Sequence, residues 1–305
     1  MNFKNLFKEI AVVHLVRAQN GIEPFKHFLC SYQKNPGGIE HDLLILFKGF
    51  KSEVKLQEYR LLLVSFKYKE LRVPDEGFDI TAYFIATRTF EYKYYCFLNS
   101  FSVLLDAEWL SKMYQHILTD KVGLVGATGS YQSLYLDSNR KEIFQNAILK
   151  SKYPALRKYW IGRIDWYLRY FIQEWRFKPY FGSFPNFHIR TNAFMLSYDV
   201  MKKIVCPKIH NKIDAYKFES GKKSITRQVE KLGKTVLVIG KDGRAYQKDD
   251  CWKSNTFWRS NQENLLVSDN QTRMYLGCDL KSKAYYSHNA WGSFAFPHAK
   301  TLPLK

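Results

Sequence analysis

The sequence has no apolar run of the roughly 18 residues that a membrane-spanning helix needs. Residues 1–9 alternate lysine with Phe and Leu and are followed by no small-residue cleavage site, so we expect no secretion signal. The cysteines are odd in number and widely spaced, and none forms a Cys-x-x-Cys pair; they are Cys30, Cys96, Cys206, Cys251 and Cys278. This usage is typical of reduced, mostly buried thiols in a cytoplasmic protein, and it favours neither a zinc site nor a disulfide framework.

Several catalytic motifs are also missing. The chain contains no Gly-x-Gly-x-x-Gly, no Gly-x-x-x-x-Gly-Lys-Ser/Thr, no His-Glu-x-x-His and no Gly-x-Ser-x-Gly. A dinucleotide enzyme, a P-loop enzyme, a zinc protease of that type and a serine esterase therefore lose their main sequence support.

Positive charge is in excess. The 305 residues include 47 Lys and Arg against 28 Asp and Glu, a formal charge of +19, while 46% are apolar and 17% aromatic. This apolar content is that of a folded chain, long enough for one large domain or two small ones. The charge is compatible with a nucleic acid, an anionic membrane surface or an anionic small substrate, and composition does not choose among them.

Short apolar runs alternate with helical patterns through the first half of the chain. The runs are Ile10–Val16, Asp42–Phe47, Leu71–Val73, Tyr94–Leu98 and Val122–Gly126. Strands that alternate with helices predict an α/β fold with a mostly parallel central sheet and helices on both faces.

A long helical pattern follows over 140–180, broken at Pro154. Its apolar residues recur every three or four positions among many Arg and Lys; they are Leu156, Trp160, Ile164, Tyr167, Phe171 and Trp175. This stripe is compatible with a core-packing helix or with a membrane-facing one. A strand over 188–197, a helix over 224–232 and a strand over 235–239 come next, and the tail after Gly240 has no clear periodicity.

Small polar residues follow three of the predicted strands. They lie in the segments 17–21, 99–102 and 126–130, and the candidates for ligand contact are Arg17, Asn20, Asn99, Ser100 and Ser102. In open α/β sheets, ligands bind outside the carboxyl ends of the strands. Each segment alone is explained by a turn or helix cap, and the candidate site depends on all three lying at one edge of the sheet.

Residues 10–245 resemble the nucleotide-sugar-dependent glycosyltransferases of the GT-A fold, especially the family 2 type of bacterial surface polysaccharide synthesis. The segment Val73-Pro-Asp-Glu-Gly-Phe-Asp79 is similar to the family's segment near the nucleotide, and Asn99-Ser100 stands where the family has Asp-x-Asp. Glu219-Ser220 resembles the acidic segment that supplies the family's catalytic base, and His188-Ile-Arg190 resembles its acceptor-side strand.

The resemblance implies a donor site with Arg17, Asn20, Asp79, Asn99, Ser100 and Ser102. Because Asn and Ser are poor ligands for a hard dication, we expect no metal and no other cofactor, and we expect positive side chains to hold the donor diphosphate. The candidates for phosphate or acceptor binding are His188, Arg190, Lys222 and Lys223. Glu219 is the candidate base; the alternative is that its charge stabilises the start of a helix predicted to follow it.

The leading hypothesis is a glycosyltransferase, inverting rather than retaining, that moves a sugar from a nucleoside-diphosphate donor to a lipid-linked or glycan acceptor. We expect it to be peripheral at the inner face of the cytoplasmic membrane, with the 140–180 insertion against anionic lipid. We expect one domain over 1–245 and a C-terminal extension over 246–305 that packs on it. The alternatives are a nucleic-acid-binding protein and a glycosyltransferase-like domain without activity.

Overall fold

The computed structural model describes residues 9–135, 172 and 175–295. Their main feature is an eight-stranded sheet in the order β11-β10-β6-β9-β4-β1-β2-β3. The strands of the fold are β1 (Ile10–Arg17), β2 (Asp42–Lys48), β3 (Tyr68–Val73), β4 (Tyr94–Leu98), β5 (Val103–Leu104), β6 (Val122–Gly126), β7 (Gly129–Ser130), β8 (His188–Ile189), β9 (Ala193–Ser197), β10 (Thr235–Ile239), β11 (Ala245–Tyr246) and β12 (Val267–Ser268).

Helices connect these strands and cover the sheet. They are α1 (Glu23–Lys34), α2 (Glu53–Leu61), α3 (Phe78–Thr89), α4 (Trp109–Ile117), α5 (Tyr198–Met201), α6 (Lys212–Ser220), α7 (Ile225–Lys231), α8 (Asn270–Leu276) and α9 (Leu280–Trp291). Among the described residues, no helix is both long and apolar enough to cross a bilayer.

Most of the sheet is parallel, which confirms the predicted α/β class. Strands β3, β2, β1 and β4 run in one direction, and β6 and β10 are parallel to each other. Among the described strands of this sheet, only β9 and β11 pair with their neighbours in the antiparallel sense. Strand β9 lies between β4 and β6, so the segment that precedes it reaches the edge where β4 ends.

Both faces of the sheet are buried, as the largely apolar runs predict. Phe25 of α1 and Met113 of α4 pack on one face, and Tyr83 of α3 and Val229 of α7 pack on the other. Because helices cover both faces, the exposed parts of the sheet are its edge strand β3 and its strand ends, and polar side chains lie at those ends.

Three expectations differ from the structure. The single strand predicted over 188–197 is two strands, β8 and β9, separated by 190–192. The aperiodic tail contains α8 and α9, and β12 pairs with β5. Two of the five thiols, Cys96 and Cys251, are buried, so the expectation of mostly buried cysteines is wrong; all five are free. The helical insertion at 140–180 falls almost entirely outside the described residues, and the domain boundary at 245 stays a prediction.

Candidate active site

A cleft of about 280 Å³ opens where the strands end. We call it the sheet-edge cleft. Its lining residues are Leu15, Arg17, Asn20, Phe78, Asp79, Ile80, Asn99, Ser100, Phe101, Arg190, Thr191, Asn192, Lys212, Ala215, Tyr216, Glu219, Asp269, Asn270 and Gln271. Parallel pairing of β1 with β4 brings Arg17 and Asn99 to this edge, and the reversed direction of β9 brings Arg190–Asn192 to it from the other side.

A second cavity, of about 150 Å³, adjoins the cleft. We call it the adjoining cavity. It is lined by Ser130, Gln132, Leu134, His188, Arg190, Tyr216, Glu219, Ser220, Trp258 and Gln271. Arg190, Tyr216, Glu219 and Gln271 line both spaces, so these four side chains stand where one space meets the other.

Seven of the eleven predicted site residues line the sheet-edge cleft. They are Arg17, Asn20, Asp79, Asn99, Ser100, Arg190 and Glu219. His188 lines only the adjoining cavity, whereas Ser102, Lys222 and Lys223 line neither space. Residues far apart in the sequence therefore meet as the strand-end rule predicts.

Asn99 lies in a tight turn at the end of β4. Its Oδ1 accepts a hydrogen bond from the Phe101 backbone N–H (3.0 Å) and lies 3.2 Å from the Ser102 hydroxyl. Ser102 is fully buried and lies equally close to the Asn192 carbonyl oxygen. Ser102 therefore stabilises the turn instead of lining the cleft, and the side-chain oxygen Oδ1 of Asn99 is directed into that turn.

Asp79 stands at the start of α3 on a strained backbone. Gly77 and Phe78, the two preceding residues, have φ values of 63° and 51°, in the left-handed region. A Cβ on Gly77 would lie 1.7 Å from the Thr81 hydroxyl oxygen, so only glycine fits. Burial raises the pKa of Asp79, while backbone N–H groups and the charges of Lys48 and Arg17 oppose that rise. Strain of this kind is concentrated at functional sites.

Lys48 organises the loop before α3, a role that the sequence interpretation missed. Its side chain is 1% exposed, and its Nζ donates to the carbonyl oxygens of Pro74 (2.9 Å) and Glu76. Burial lowers its pKa. Arg17 Nε donates to Asp75 in the same loop (3.0 Å). The signal was present, since Lys48 directly follows the second apolar run and so occupies a strand end.

Glu219 lies in the last turn of α6. Its Oε1 accepts a hydrogen bond from the Thr191 N–H (3.1 Å). Burial raises its pKa; the Arg190 guanidinium opposes the rise, and the carboxylates of Asp79 and Asp269 add to it. The helix predicted over 224–232 is α7, with Ser224 as its cap, but Glu219 lies in the last turn of α6 and not at the start of α7. The negative end of the α6 dipole disfavours a carboxylate, so helix stabilisation does not explain Glu219.

Arg190 is tied into a buried ion pair. Its Nη2 donates to Asp269 (2.8 Å) and Gln271 (2.9 Å), and the guanidinium lies 4.0 Å from the centre of the Phe257 ring. Asp269 also caps α8 through a capping box with Thr272. Burial alone would raise the pKa of Asp269, but Arg190 and the cap hydrogen bonds hold it below its ordinary value.

His188 is 5% exposed, and its burial lowers its pKa to about 4, so the ring is neutral at pH 7. Its Nδ1 lies 2.8 Å from the Asn186 carbonyl oxygen. Because a carbonyl oxygen can only accept, Nδ1 carries the proton and Nε2 is the acceptor. Asn192 was also missed by the sequence interpretation: it is 3% exposed, lines the cleft, and its Nδ2 has no partner among the described residues.

Lys222 and Lys223 lie elsewhere because α6 ends at Ser220 and the chain turns away from the cleft. Lys222 Nζ donates to the Lys178 carbonyl oxygen (2.7 Å) and lines a separate groove beside Tyr180. Lys223 is exposed. Neither lysine reaches the space that the other candidates line.

The described part of the chain contains no group of three or more His, Cys, Asp or Glu side chains that could hold a metal ion. That the site works without a metal stays a prediction. The side-chain oxygen of Asn99, which stands in the position of the expected metal ligand, accepts hydrogen bonds from its own turn.

Comparisons with known proteins show likeness only at the level of structure. No protein-family model and no curated protein matches the sequence. Matching solved structures include a mannosyltransferase from Pyrobaculum calidifontis in complex with GDP-Man and Mn²⁺ (10% identity, TM-score 0.33, 39% of this chain and 34% of that one). Others are S. aureus TarS 1-349 with UDP-GlcNAc (12%, 0.31, 39% and 33%) and GalNAc-T7 with UDP, GalNAc and Mn²⁺ (15%, 0.32, 38% and 22%).

The match thus spans about a third or less of each of these structures. All three are described by their names or bound sugars as proteins that handle nucleotide sugars. At these TM-scores we draw no conclusion for this chain from the likeness.

Proposed function

We propose that the protein is a glycosyltransferase that moves a sugar from a nucleoside-diphosphate donor to a glycan acceptor. The observation that carries this proposal is the position of Glu219, on the wall where the sheet-edge cleft meets the adjoining cavity. A base for glycosyl transfer has to contact the acceptor hydroxyl where that hydroxyl meets the donor sugar, and this carboxylate borders two joined spaces.

The sheet-edge cleft is the proposed donor site. Arg17, Asn20, Asp79, Asn99 and Ser100 line it with hydrogen-bonding groups. The unpaired, buried Nδ2 of Asn192 also supports a ligand here, because a polar group of the ligand would satisfy it. An aromatic side chain, Phe78, lines the same space.

We further propose that the donor binds without a metal ion. Asn99, the residue in the Asp-x-Asp position, is neutral, and its side-chain oxygen Oδ1 already accepts hydrogen bonds from its own turn. A hard dication prefers carboxylate oxygens, which this turn does not supply.

The proposed reaction is a displacement with inversion. The acceptor sugar occupies the adjoining cavity, where the neutral His188 ring and the Tyr216 side chain line the space. The acceptor's hydroxyl oxygen attacks the anomeric carbon of the donor sugar, and the hydroxyl proton passes to Glu219. The bond between the anomeric carbon and the diphosphate oxygen breaks, and its electron pair leaves with the diphosphate. The raised pKa of Glu219 is closer to neutral pH than that of an ordinary carboxylate, so the ionised form of Glu219 is a stronger base.

Turnover of a panel of nucleoside-diphosphate sugars, with and without a chelator, tests this function. We expect turnover that survives chelation and falls by about 10²–10⁴-fold in Glu219→Gln. Glu58→Gln, an exposed carboxylate of α2, is the matched control and retains wild-type turnover. Loss of turnover in the presence of chelator overturns the proposal that the donor binds without a metal ion. Unchanged turnover in Glu219→Gln excludes Glu219 as the base. Nucleoside-diphosphate binding without turnover supports the inactive alternative.

By the sequence resemblance, we propose a lipid-linked or oligosaccharide acceptor in surface polysaccharide synthesis of the O-antigen or capsule type, reached from the inner face of the cytoplasmic membrane. Trp175, at the end of the aromatic stripe, is 84% exposed and adjoins Arg176 and Lys178. Such residues are typical of a membrane interface. We expect the protein to co-sediment with anionic vesicles in a salt-sensitive manner, and less so after Trp175→Ala. Equal sedimentation with neutral vesicles would exclude binding to an anionic membrane surface.

A further inference from the structure

One face of α6 forms a wall of the sheet-edge cleft. Lys212, Ala215, Tyr216 and Glu219 line the cleft, and their spacing of three, one and three residues places them on one side of the helix. Lys212 stands in the first turn and Glu219 in the last. The candidate base and a lysine thus share one rigid element and face the same space.

The other cations near the cleft are committed to protein partners. Arg17 pairs with Asp75 at 3.0 Å, Lys48 donates to backbone carbonyl oxygens, and Arg190 pairs with Asp269 at 2.8 Å. Lys212 differs. No ion pair joins it to an acidic side chain within the described ranges, and its Nζ lies 5.5 Å from the centre of the Tyr216 ring.

We propose that Lys212 binds the diphosphate of the donor and stabilises the charge that forms on it as it leaves. This inference rests on the proposed function and adds to it the group that neutralises the leaving group. A lysine ammonium acts on phosphate oxygens as a mobile point charge, which suits a negative charge that grows during the reaction.

The length of α6 supports this role. Glu219 is seven positions after Lys212, so their Cα atoms lie about 10 Å apart along the helix axis at a rise of about 1.5 Å per residue. In an in-line displacement, the base, the acceptor oxygen, the anomeric carbon and the leaving phosphate follow one another. The distance from the base to the acceptor oxygen is about 3 Å, and that from the acceptor oxygen to the anomeric carbon is about 3 Å. The breaking bond follows, and then a contact of about 3 Å from the leaving phosphate to the lysine, which gives a similar total span.

Tyr216 lies between the two charged groups along the helix. Its side chain lines both the cleft and the adjoining cavity, which is where the transferred sugar passes from donor to acceptor. The attraction of an ammonium to an aromatic ring favours a position of Lys212 beside this passage.

Binding measurements with Lys212→Met test the inference. We expect affinity for a nucleoside diphosphate to fall by about 10- to 100-fold, the value of one charge-assisted hydrogen bond, while affinity for the matching nucleoside without phosphate is unchanged. The rate constant kcat should fall as well, because the negative charge on the diphosphate is greater in the transition state than in the bound donor. Lys212→Arg should restore most of both.

Lys217→Met is the matched control. It lies on another face of the same helix, where it pairs with the partly buried Asp214 and covers the Tyr180 ring. We expect wild-type binding and kcat from it. Circular dichroism and thermal unfolding of both variants check that α6 is intact.

The possible outcomes separate the two proposals. Absence of nucleoside-diphosphate binding and turnover in the wild-type protein overturns the proposed function itself. Wild-type binding and turnover together with an unchanged Lys212→Met variant overturn only the role of Lys212. An equal loss of affinity for the nucleoside and the diphosphate also overturns it, because a phosphate contact discriminates between the two ligands.

Discussion

His14 is an ionisable side chain in the centre of the sheet. It lies on β1, is 0% exposed, and its ring stacks on Phe28 with a centroid distance of 3.6 Å. Neither ring nitrogen has a hydrogen-bond partner among the described residues. Burial lowers the pKa of His14 to about 3, against an ordinary value of 6.5, so the folded protein holds this ring neutral.

This difference in pKa makes the free energy of unfolding depend on pH. Between pH 6.5 and 3 the unfolded chain binds a proton at His14 and the folded chain does not, so stability is complete above pH 6.5 and falls as the pH decreases. Between pH 7 and pH 5, His14 alone should remove about 2 kcal/mol. His188, with a pKa of about 4, contributes a second loss of the same sign.

The change His14→Leu tests this reasoning. We expect the variant to be more stable at pH 7 by about 1–3 kcal/mol, because leucine buries no unsatisfied nitrogen. We also expect it to lose about 2 kcal/mol less than wild type between pH 7 and pH 5. Urea unfolding at pH 7, 6 and 5 measures both quantities, with His27→Leu on the exposed face of α1 as the control. A pH dependence identical to that of wild type would refute a lowered pKa at His14.

Three further outcomes are expected. Because the pKa of Glu219 is raised, kcat/KM should fall on acidification with a midpoint above the ordinary value of 4.5; a midpoint at or below 4.5 in a pH–rate profile contradicts this. The change Asp269→Asn should lower the free energy of unfolding by about 3 kcal/mol in urea, because it leaves the buried Arg190 charge without its counter-ion; a loss below 1 kcal/mol would show that the pair is not buried. Gly77→Ala should cost more stability in thermal unfolding than Gly233→Ala, since both glycines are left-handed but only Gly77 has a side chain in the way; equal costs would exclude the steric clash.

The sequence predicted the sheet because its strands are buried on both faces. The run Tyr94–Leu98 is apolar throughout and Ile10–Val16 is apolar except for His14, and this pattern is typical of strands covered by helices. Each run is followed by a polar residue, Arg17 or Asn99, so the position of the cleft followed from the same pattern. Local periodicity was enough for both.

The wall formed by α6 was not predicted, for a physical reason. Its sequence, from Lys212 to Ser220, has little amphipathic contrast, because polar residues face the cleft as well as the solvent. A helix that lines a site lacks the apolar stripe that periodicity detects. The same applies to α8, whose cap Asp269 is buried by pairing with Arg190 and not by apolar contacts.

The reversed strand β9 also bears on how the protein folds. It pairs with β4 through neighbours roughly 100 residues apart in the sequence, such as Cys96 and Met195, and this pairing brings Thr191 beside Glu219. Contacts between such distant segments form slowly, because a long loop must close first. The first four parallel strands can associate without β9, but the cleft is complete only after it docks. During refolding, recovery of ligand binding should therefore lag behind the recovery of secondary structure.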